Sequence, residues 1–164
     1  MLVVGIGVLI IKSYEKNGIL VTEDLTLPTD EQLKKGVAII ECIQEIPCDP
    51  CVAICPVSSI SMEDINDIPK IDYNKCTGCK RCVGICPGLA IFVVKVVDNR
   101  ALITLPYEFL PIPKVGEIAT ALDREGKSRG LAKIKKVNRR GKTTVVTVEV
   151  DKKLAMDVRN IRVD

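Results

Sequence analysis

The sequence predicts an α+β fold made of a duplicated β-α-β unit followed by a small C-terminal β domain. Seven of the eight cysteines lie in two runs of matching spacing that both close on Cys-Pro: Cys48, Cys51, Cys55-Pro56 and Cys76, Cys79, Cys82, Cys86-Pro87. A shift of 31 residues superposes the first run on the last three cysteines of the second, which indicates an internal duplication. Beyond residue 100, segments rich in Val, Ile and Thr alternate with turn residues, a pattern typical of strands.

The chain is predicted to have three parts: an arm and docking segment at 1–36, a cysteine-rich domain at 37–100 and a β-rich domain at 101–164. The arm and docking segment comes first. Its apolar stretch at residues 1–11 is about half the ~20 residues that span a bilayer, so we expect a packed arm and no membrane span. Thr29 or Asp30 is suited to cap a short helix that ends at Lys35 and is closed by Gly36.

Each half of the cysteine-rich part is predicted to run as strand, cysteine loop, short helix and strand. The β-branched run at residues 37–40 is the first strand. Pro56 and Pro87 suit the first turn of a helix, where a missing N–H costs little, so we expect each helix after its Cys-Pro pair. Apolar residues at Ile60 and at 91–94 predict the closing strands.

The C-terminal part is predicted to be mostly antiparallel. Residues 92–97 and 101–105 are expected to pair as a hairpin about the turn at 98–100. A final edge strand is expected at 161–163. Between the hairpin and this edge strand, three further strands are expected at 117–122, 130–137 and 143–150. Turns that contain glycine separate them.

The composition excludes several kinds of active site. The chain has no histidine and no tryptophan, and aromatic residues make up only 3% of it. Without histidine there is no ordinary general base, no catalytic triad and no imidazole ligand for haem or zinc. The sequence also offers no nucleophile–base pair and no phosphate-binding loop, so we do not expect the chain to be an enzyme by itself.

The second cysteine run has the pattern C-x2-C-x2-C-x3-C-P, from Cys76 to Pro87. In this pattern three thiolates hold one four-iron cluster and the fourth cysteine reaches another, so the sequence predicts two [4Fe-4S] clusters. Paired C-x2-C motifs also build four-cysteine zinc sites. The unbroken three-cysteine corner and the repeated Cys-Pro favour iron and sulfur over zinc. Clustered thiols of this kind also indicate a reducing cytoplasm.

With these motifs, residues 37–97 resemble the bacterial-type dicluster ferredoxin family. The resemblance implies the dicluster ferredoxin fold, in which the first three cysteines of one run and the last of the other hold each cluster. One cluster would then be held by Cys76, Cys79, Cys82 and Cys55. The other would be held by Cys48, Cys51, Cys86 and a fourth ligand that precedes them.

The first run departs from the family pattern at that fourth ligand. The family has a cysteine where this chain has Glu45, and Cys42 stands three residues earlier. An insertion of three residues could loop out beside Pro47 and still deliver Cys42, which is the ligand we expect. The alternatives are that Cys42 is a buried spare cysteine, and that the site holds a [3Fe-4S] cluster or uses Glu45 as an oxygen ligand.

The function predicted from these residues is electron transfer, as the iron-sulfur subunit of a hetero-oligomeric oxidoreductase with a flavoprotein dehydrogenase as partner. Residues 46–51 resemble small ferredoxin-like subunits that accompany FAD-dependent dehydrogenases of proline or hydroxyproline. One alternative is a freely diffusing ferredoxin with an accessory domain. Another is a metal-binding nucleic-acid module, prompted by the basic residues in 133–142. That segment has no aromatic side chain on which a base could stack, so we expect no nucleic-acid partner.

Overall fold

The computed structural model describes residues 13–163, and the predicted apolar arm at 1–11 lies outside them. Within these residues the nine strands are β1 Val37–Ile40, β2 Ile60–Ser61, β3 Lys70–Ile71, β4 Ile91–Val97, β5 Arg100–Tyr107, β6 Ile118–Leu122, β7 Ser128–Arg140, β8 Thr143–Asp151 and β9 Asn160–Arg162. The helices are α1 Ser13–Asn17, α2 Asp30–Lys35, α3 Pro50–Ala53 and α4 Arg81–Ile85, with 3-10 turns at Thr22–Asp24 and Lys152–Leu154.

The helix before the first strand forms as the sequence predicts. Thr29, not Asp30, is its N-cap: the Thr29 hydroxyl accepts a hydrogen bond from the backbone N–H of Gln32 at 3.3 Å. In return the Gln32 side chain accepts from the Thr29 N–H at 2.9 Å, so two otherwise unpaired donors are satisfied. Gly36 ends α2 with a φ of 90°, a conformation that favours glycine.

The two cysteine-containing halves run as β1–α3–β2 and β3–α4–β4. Antiparallel pairing joins β1 to β4, and β2 to β3, so the outer strands of the two halves meet. The prediction of helices after Cys-Pro is wrong, because α3 and α4 end before Cys55 and Cys86. A residue that precedes proline is pushed out of the helical region, and Cys86 accordingly has an extended backbone with ψ 114°. The proline that does start a helix is Pro50.

The C-terminal strands and the hairpin are confirmed. Strands β4 and β5 pair around the turn at 98–99, and β6, β7 and β8 cover the three predicted segments. The final strand β9 pairs with β6 at the edge of the sheet. Strand β7 is longer than predicted, and its pairing with β8 shifts register between Ile134 and Lys136.

Strands from both sides of residue 100 belong to one antiparallel sheet of order β1-β4-β5-β8-β7-β6-β9. The hydrophobic core beneath it extends from Val37 to Ile161 without a break at the predicted boundary. Because the β4–β5 hairpin makes the connection, the C-terminal strands are held at fixed positions relative to the cysteine loops. This continuity brings β7 and β8 against α4.

Helix α4 touches β7 and β8 at a glycine. A Cβ atom on Gly84 would lie 2.5 Å from the Cβ of Arg140 and 3.2 Å from the Cγ2 of Val145. The Cβ of Arg140 is fixed by its strand backbone, so it cannot swing away as the end of a long side chain could. Gly84 is therefore required for the close approach of helix and sheet.

We expect Gly84→Ala to destabilise the protein, although alanine normally stabilises a helix relative to glycine by about 0.5–1 kcal/mol. Overpacking against Arg140 should cost about 1–3 kcal/mol and reverse that gain. Urea unfolding followed by circular dichroism measures the change. The matched control is Gly88→Ala, where an added Cβ meets no atom within 4 Å. Equal stabilities of the two variants would contradict the tight contact.

Candidate metal centres

Four cysteines from three separate segments line one cavity, which encloses about 870 Å³ including adjoining solvent. They are Cys42, Cys48, Cys51 and Cys86. The first precedes the inserted loop, the next two lie at the start of α3, and Cys86 follows α4. The rest of the lining is mainly apolar, with Ile43, Ile46 and Ile91 among its members. We call this space cavity 1.

The other four cysteines line a second, smaller space of about 310 Å³, which we call cavity 2. They are Cys55, Cys76, Cys79 and Cys82. Cys55 comes from the first half of the chain, whereas the other three belong to the second half. Each half therefore contributes one cysteine to the other half's set: Cys86 lines cavity 1 and Cys55 lines cavity 2. This is possible because α3 packs against α4, so the end of each helix lies beside the loop of the other half. The structure thus brings together both four-cysteine sets expected from the sequence.

Glu45, the alternative oxygen ligand, is exposed and does not line cavity 1. Cys42 does line it, at the end of β1 and next to Glu41, whose backbone N–H donates to the carbonyl of Ala90 at 2.8 Å. That bond extends the β1–β4 pairing by one residue and directs the chain into the cavity. Between Cys42 and Cys48, residues 44–47 are exposed, while Ile43, Gln44 and Ile46 also contribute to the lining of cavity 1.

The pKa values of three thiols are raised, first by burial and then by the other cysteines of the same cavity. In cavity 1 the pKa of Cys51 rises to about 11, with Cys86 as the next cause after burial, and the pKa of Cys48 rises in the same direction. In cavity 2 the pKa of Cys82 rises to about 12, with Cys76 and Cys79 contributing after burial. Burial and the neighbouring sulfurs thus disfavour the thiolate form of Cys48, Cys51 and Cys82, and a cationic centre would counter both effects.

Hydrogen-bond donors point at sulfur in both cavities. The backbone N–H of Ala38 donates to the Cys76 Sγ at 3.4 Å, and the N–H of Ala90 donates to the Cys86 Sγ at 3.5 Å. Cys55 has the N–H of Ser59 at 3.3 Å and the Ser59 hydroxyl at 3.2 Å. Burial alone would raise the pKa of Cys55, but these and neighbouring backbone bonds lower it. Sulfur donors, N–H···S bonds and apolar walls form a set that fits an iron-sulfur cluster.

Ser59 is a site residue that the sequence reasoning missed. It is buried, with 3% of its surface exposed, and both of its donors face Cys55. The duplication offers a signal that could have found it, because a shift of 31 residues places Ser59 on Ala90. Each of these residues lies four positions after the last cysteine of its run and donates its N–H to that sulfur.

A buried group of charged side chains adjoins cavity 1 and was also missed. Glu41 accepts hydrogen bonds from Arg159 at 2.6 Å and from Arg124 at 2.6 and 2.9 Å. Burial raises the pKa of Glu41, but the two guanidinium groups outweigh it and leave the pKa below its usual value. The Arg159 guanidinium also lies 5.1 Å from the centre of the Phe92 ring. These contacts tie the turn after β6 and the residue before β9 to the residue before Cys42.

Two absences apply only to the described part of the chain. Among residues 13–163, no three His, Cys, Asp or Glu side chains are close enough together to hold a single metal ion. Over the same residues, no helix combines the length and the apolar character needed to cross a bilayer.

Comparisons with known proteins agree with the cysteine chemistry. Residues 69–92 match the family model described as the 4Fe-4S binding domain. One subunit of the sulfite dehydrogenase of Allochromatium vinosum is 36% identical over 62 residues, which are 38% of this chain and 24% of that protein. The thiosulfate reductase electron transfer subunit of Salmonella typhi is 45% identical over 38 residues, 23% of this chain and 19% of that protein.

An uncharacterized ferredoxin of Methanocaldococcus jannaschii is 38% identical over 56 residues, covering 34% of this chain and 36% of the ferredoxin. The chain thus spans about a third or less of the length of each of these relatives. No solved structure matches the chain. The matched residues 69–92 contain the whole second cysteine run, from Cys76 to Cys86.

Proposed function

We propose that the chain carries two [4Fe-4S] clusters and passes electrons through them as a subunit of a larger oxidoreductase. The observation that carries the proposal is the presence of two cavities, each lined by four cysteines. Cys42, Cys48, Cys51 and Cys86 would hold the first cluster. Cys76, Cys79, Cys82 and Cys55 would hold the second, within a duplicated β-α-β dicluster ferredoxin fold.

The protein's own groups would set the conditions for electron transfer. The cluster in each cavity would take up and release one electron at a time. Backbone N–H groups that donate to the Cys55, Cys76 and Cys86 sulfurs would stabilise the more negative, reduced state of a bound cluster. Buried side chains such as Val83 and Ile91 keep water away from the sulfurs. The chain would contribute no substrate chemistry of its own.

The partner in this proposal is a flavoprotein dehydrogenase in a hetero-oligomer. Support for a multi-subunit assembly comes from relatives that are themselves named as subunits of sulfite dehydrogenase and thiosulfate reductase. Support for a flavin-dependent amino-acid dehydrogenase comes from residues 46–51, whose motif resembles that of the accompanying subunits. A cytoplasmic location is part of the proposal and is supported by eight cysteines that are all free of disulfides.

The first test is the metal content of protein prepared without oxygen. We expect about eight irons and about eight acid-labile sulfides per chain, with electron paramagnetic resonance of the reduced protein showing two interacting clusters. Zinc in place of iron would refute the proposal, and about four irons would limit it to one cluster.

The same preparation tests the assembly. Size-exclusion chromatography of protein from its native source should place the iron in a complex much larger than 164 residues. Flavin should elute with it. Iron that elutes at the size of the isolated chain would instead favour a freely diffusing ferredoxin.

A further inference from the structure

Cavity 2 reaches the surface at Cys79. Of the eight cysteines, Cys79 is the exposed one, while the others are buried or half-buried. Electron exchange between proteins requires the two redox centres to approach closely, so a partner would have to cover this edge. The inference developed from this point rests on the proposed function and identifies the chemistry of the partner.

Cations from three distant parts of the chain surround that edge. Lys80 and Arg81 line cavity 2 beside Cys79. Lys95 of β4 packs on Gly36, with side-chain carbons 3.2 to 3.4 Å from where a Gly36 Cβ would lie. The Gly36 carbonyl oxygen is in turn 2.6 Å from the Cβ position of Gly78, in the loop that leads to Cys79. Lys95 therefore borders the same loop from the sheet side.

Strand β7 supplies the remaining charges. Arg140 packs on Gly84 of α4, the helix that follows Cys79. Lys136 is exposed and lies four residues before Arg140 on the same strand, in regular register with β8, so both side chains lie on the face of β7 that meets α4. We call the group formed by Cys79, Lys80, Arg81, Lys95, Lys136 and Arg140 the Cys79 surface.

The cations of this surface are left without a carboxylate partner in the described part of the chain. Within residues 13–163, the cations Lys80, Arg81, Lys95, Lys136 and Arg140 form no ion pair with a carboxylate. Their neighbours do: Lys75 pairs with Asp72 at 3.6 Å, and Lys135 pairs with Glu149 at 3.2 Å. Unpaired like charges around one redox edge raise the local concentration of an anionic partner and speed its association.

An apolar residue lies among the cations. Val57 lines cavity 2 and is 38% exposed. Protein–protein interfaces commonly have an apolar centre with a charged rim. A nucleic acid would instead need stacking platforms, and residues 128–151 contain no Phe, Tyr or Trp. The arrangement therefore fits an acidic protein better than a nucleic acid.

We propose that the Cys79 surface is the docking site for a redox protein whose own redox centre is ringed by Asp and Glu. The partner's carboxylates would pair with the cations of β4, α4 and β7. Its redox centre would then lie over Cys79. One electron would pass in each encounter, with no bond formed or broken.

Direct binding tests the surface without electron transfer. The iron-loaded protein is titrated with poly-L-glutamate by calorimetry at about 0.01 M ionic strength, where charges act over about 30 Å. The variant Lys95→Glu/Lys136→Glu should bind about tenfold more weakly. Its matched control is Lys152→Glu/Lys153→Glu, which makes the same change in net charge on exposed lysines of another element and should keep most of the affinity. Equal losses in both variants would overturn the proposal.

Electron transfer provides the second measurement. Protein reduced with dithionite is mixed in a stopped-flow instrument with hexacyanoferrate(III), which accepts one electron and becomes hexacyanoferrate(II). We expect the rate to fall as salt is added, and the Lys95→Glu/Lys136→Glu variant to be about tenfold slower at low salt. The cationic oxidant hexaamminecobalt(III) should show the opposite dependence on salt.

The outcomes separate this inference from the proposed function. If the protein holds about eight irons but its rates with both oxidants are unaffected by salt and by the Lys95→Glu/Lys136→Glu substitution, the proposed function stands and the docking site is refuted. A protein without iron loses both. Tighter binding of a single-stranded oligothymidylate than of poly-L-glutamate, abolished by the same double substitution, would assign the surface to nucleic acid and overturn the inference.

Discussion

Cys42→Ala is expected to lower the iron content from about eight per chain to between about four and seven, because it removes the fourth sulfur donor of cavity 1. Cys42 lines that cavity together with Cys48, Cys51 and Cys86, although it stands outside the regular spacing. The lower limit corresponds to loss of the whole cluster, and the upper limit to loss of one iron. Iron and sulfide analysis of anaerobically prepared protein gives the number, and electron paramagnetic resonance identifies the cluster type.

Glu45→Ala is the matched control, since Glu45 occupies the position at which the regular spacing requires a ligand. Its side chain is exposed and lies outside the lining of cavity 1, so iron content and spectra should not change. The opposite result, with iron lost from Glu45→Ala and retained by Cys42→Ala, would show that the carboxylate is the ligand and that Cys42 is a spare buried thiol.

Glu41→Gln is expected to reduce the free energy of unfolding by about 3–5 kcal/mol, the usual cost of removing one partner from a buried ion pair. The Glu41 carboxylate is the common acceptor for Arg124 and Arg159, whose side chains are only 13% and 4% exposed. Without its charge, two guanidinium groups would stay buried with no anion between them. The Arg159 Nη2 already has no hydrogen-bond partner among the described residues, so it has no other acceptor to turn to.

The midpoint of urea unfolding, followed by circular dichroism on iron-loaded protein, measures this loss. Glu63→Gln is the control, because the Glu63–Lys70 pair is exposed and such pairs contribute only about 0–1 kcal/mol. A double-mutant cycle with Arg159→Gln isolates the interaction from other effects of the substitution. Loss of stability as small as that of Glu63→Gln, or a coupling energy near zero, would contradict a structural role for the buried group.

Much of the site could be predicted because iron-sulfur clusters are bound by one residue type, cysteine, which can be identified directly in the sequence. Cysteine spacing predicted two clusters, and the resemblance to dicluster ferredoxins implied how the eight thiols divide into two sets of four. The structure brings each set to its own cavity, with Cys55 and Cys86 exchanged between the halves. Strands were predictable for a similar reason, since β-branched runs separated by glycine turns are local patterns.

The positions of the helices were harder to predict, because two properties of proline compete. Proline starts a helix well, yet it also forces the preceding residue out of helical geometry. At Pro87 the second effect decides, because Cys86 before it has an extended backbone and α4 ends at Ile85, and α3 likewise ends at Ala53, ahead of Cys55 and Pro56. At Pro50 the first effect decides.

The sequence by itself determined which atoms can bind metal and which segments become strands, because both depend on residue types and short spacings. Tertiary structure alone decided what surrounds those atoms. Glu41 pairs with Arg159, which lies 118 positions later in the chain, and Arg140 packs against Gly84, because one continuous sheet carries the C-terminal strands back over the cysteine loops. Charges interact through space and not along the chain, so the environment of each cavity could be identified only after the sheet order was known.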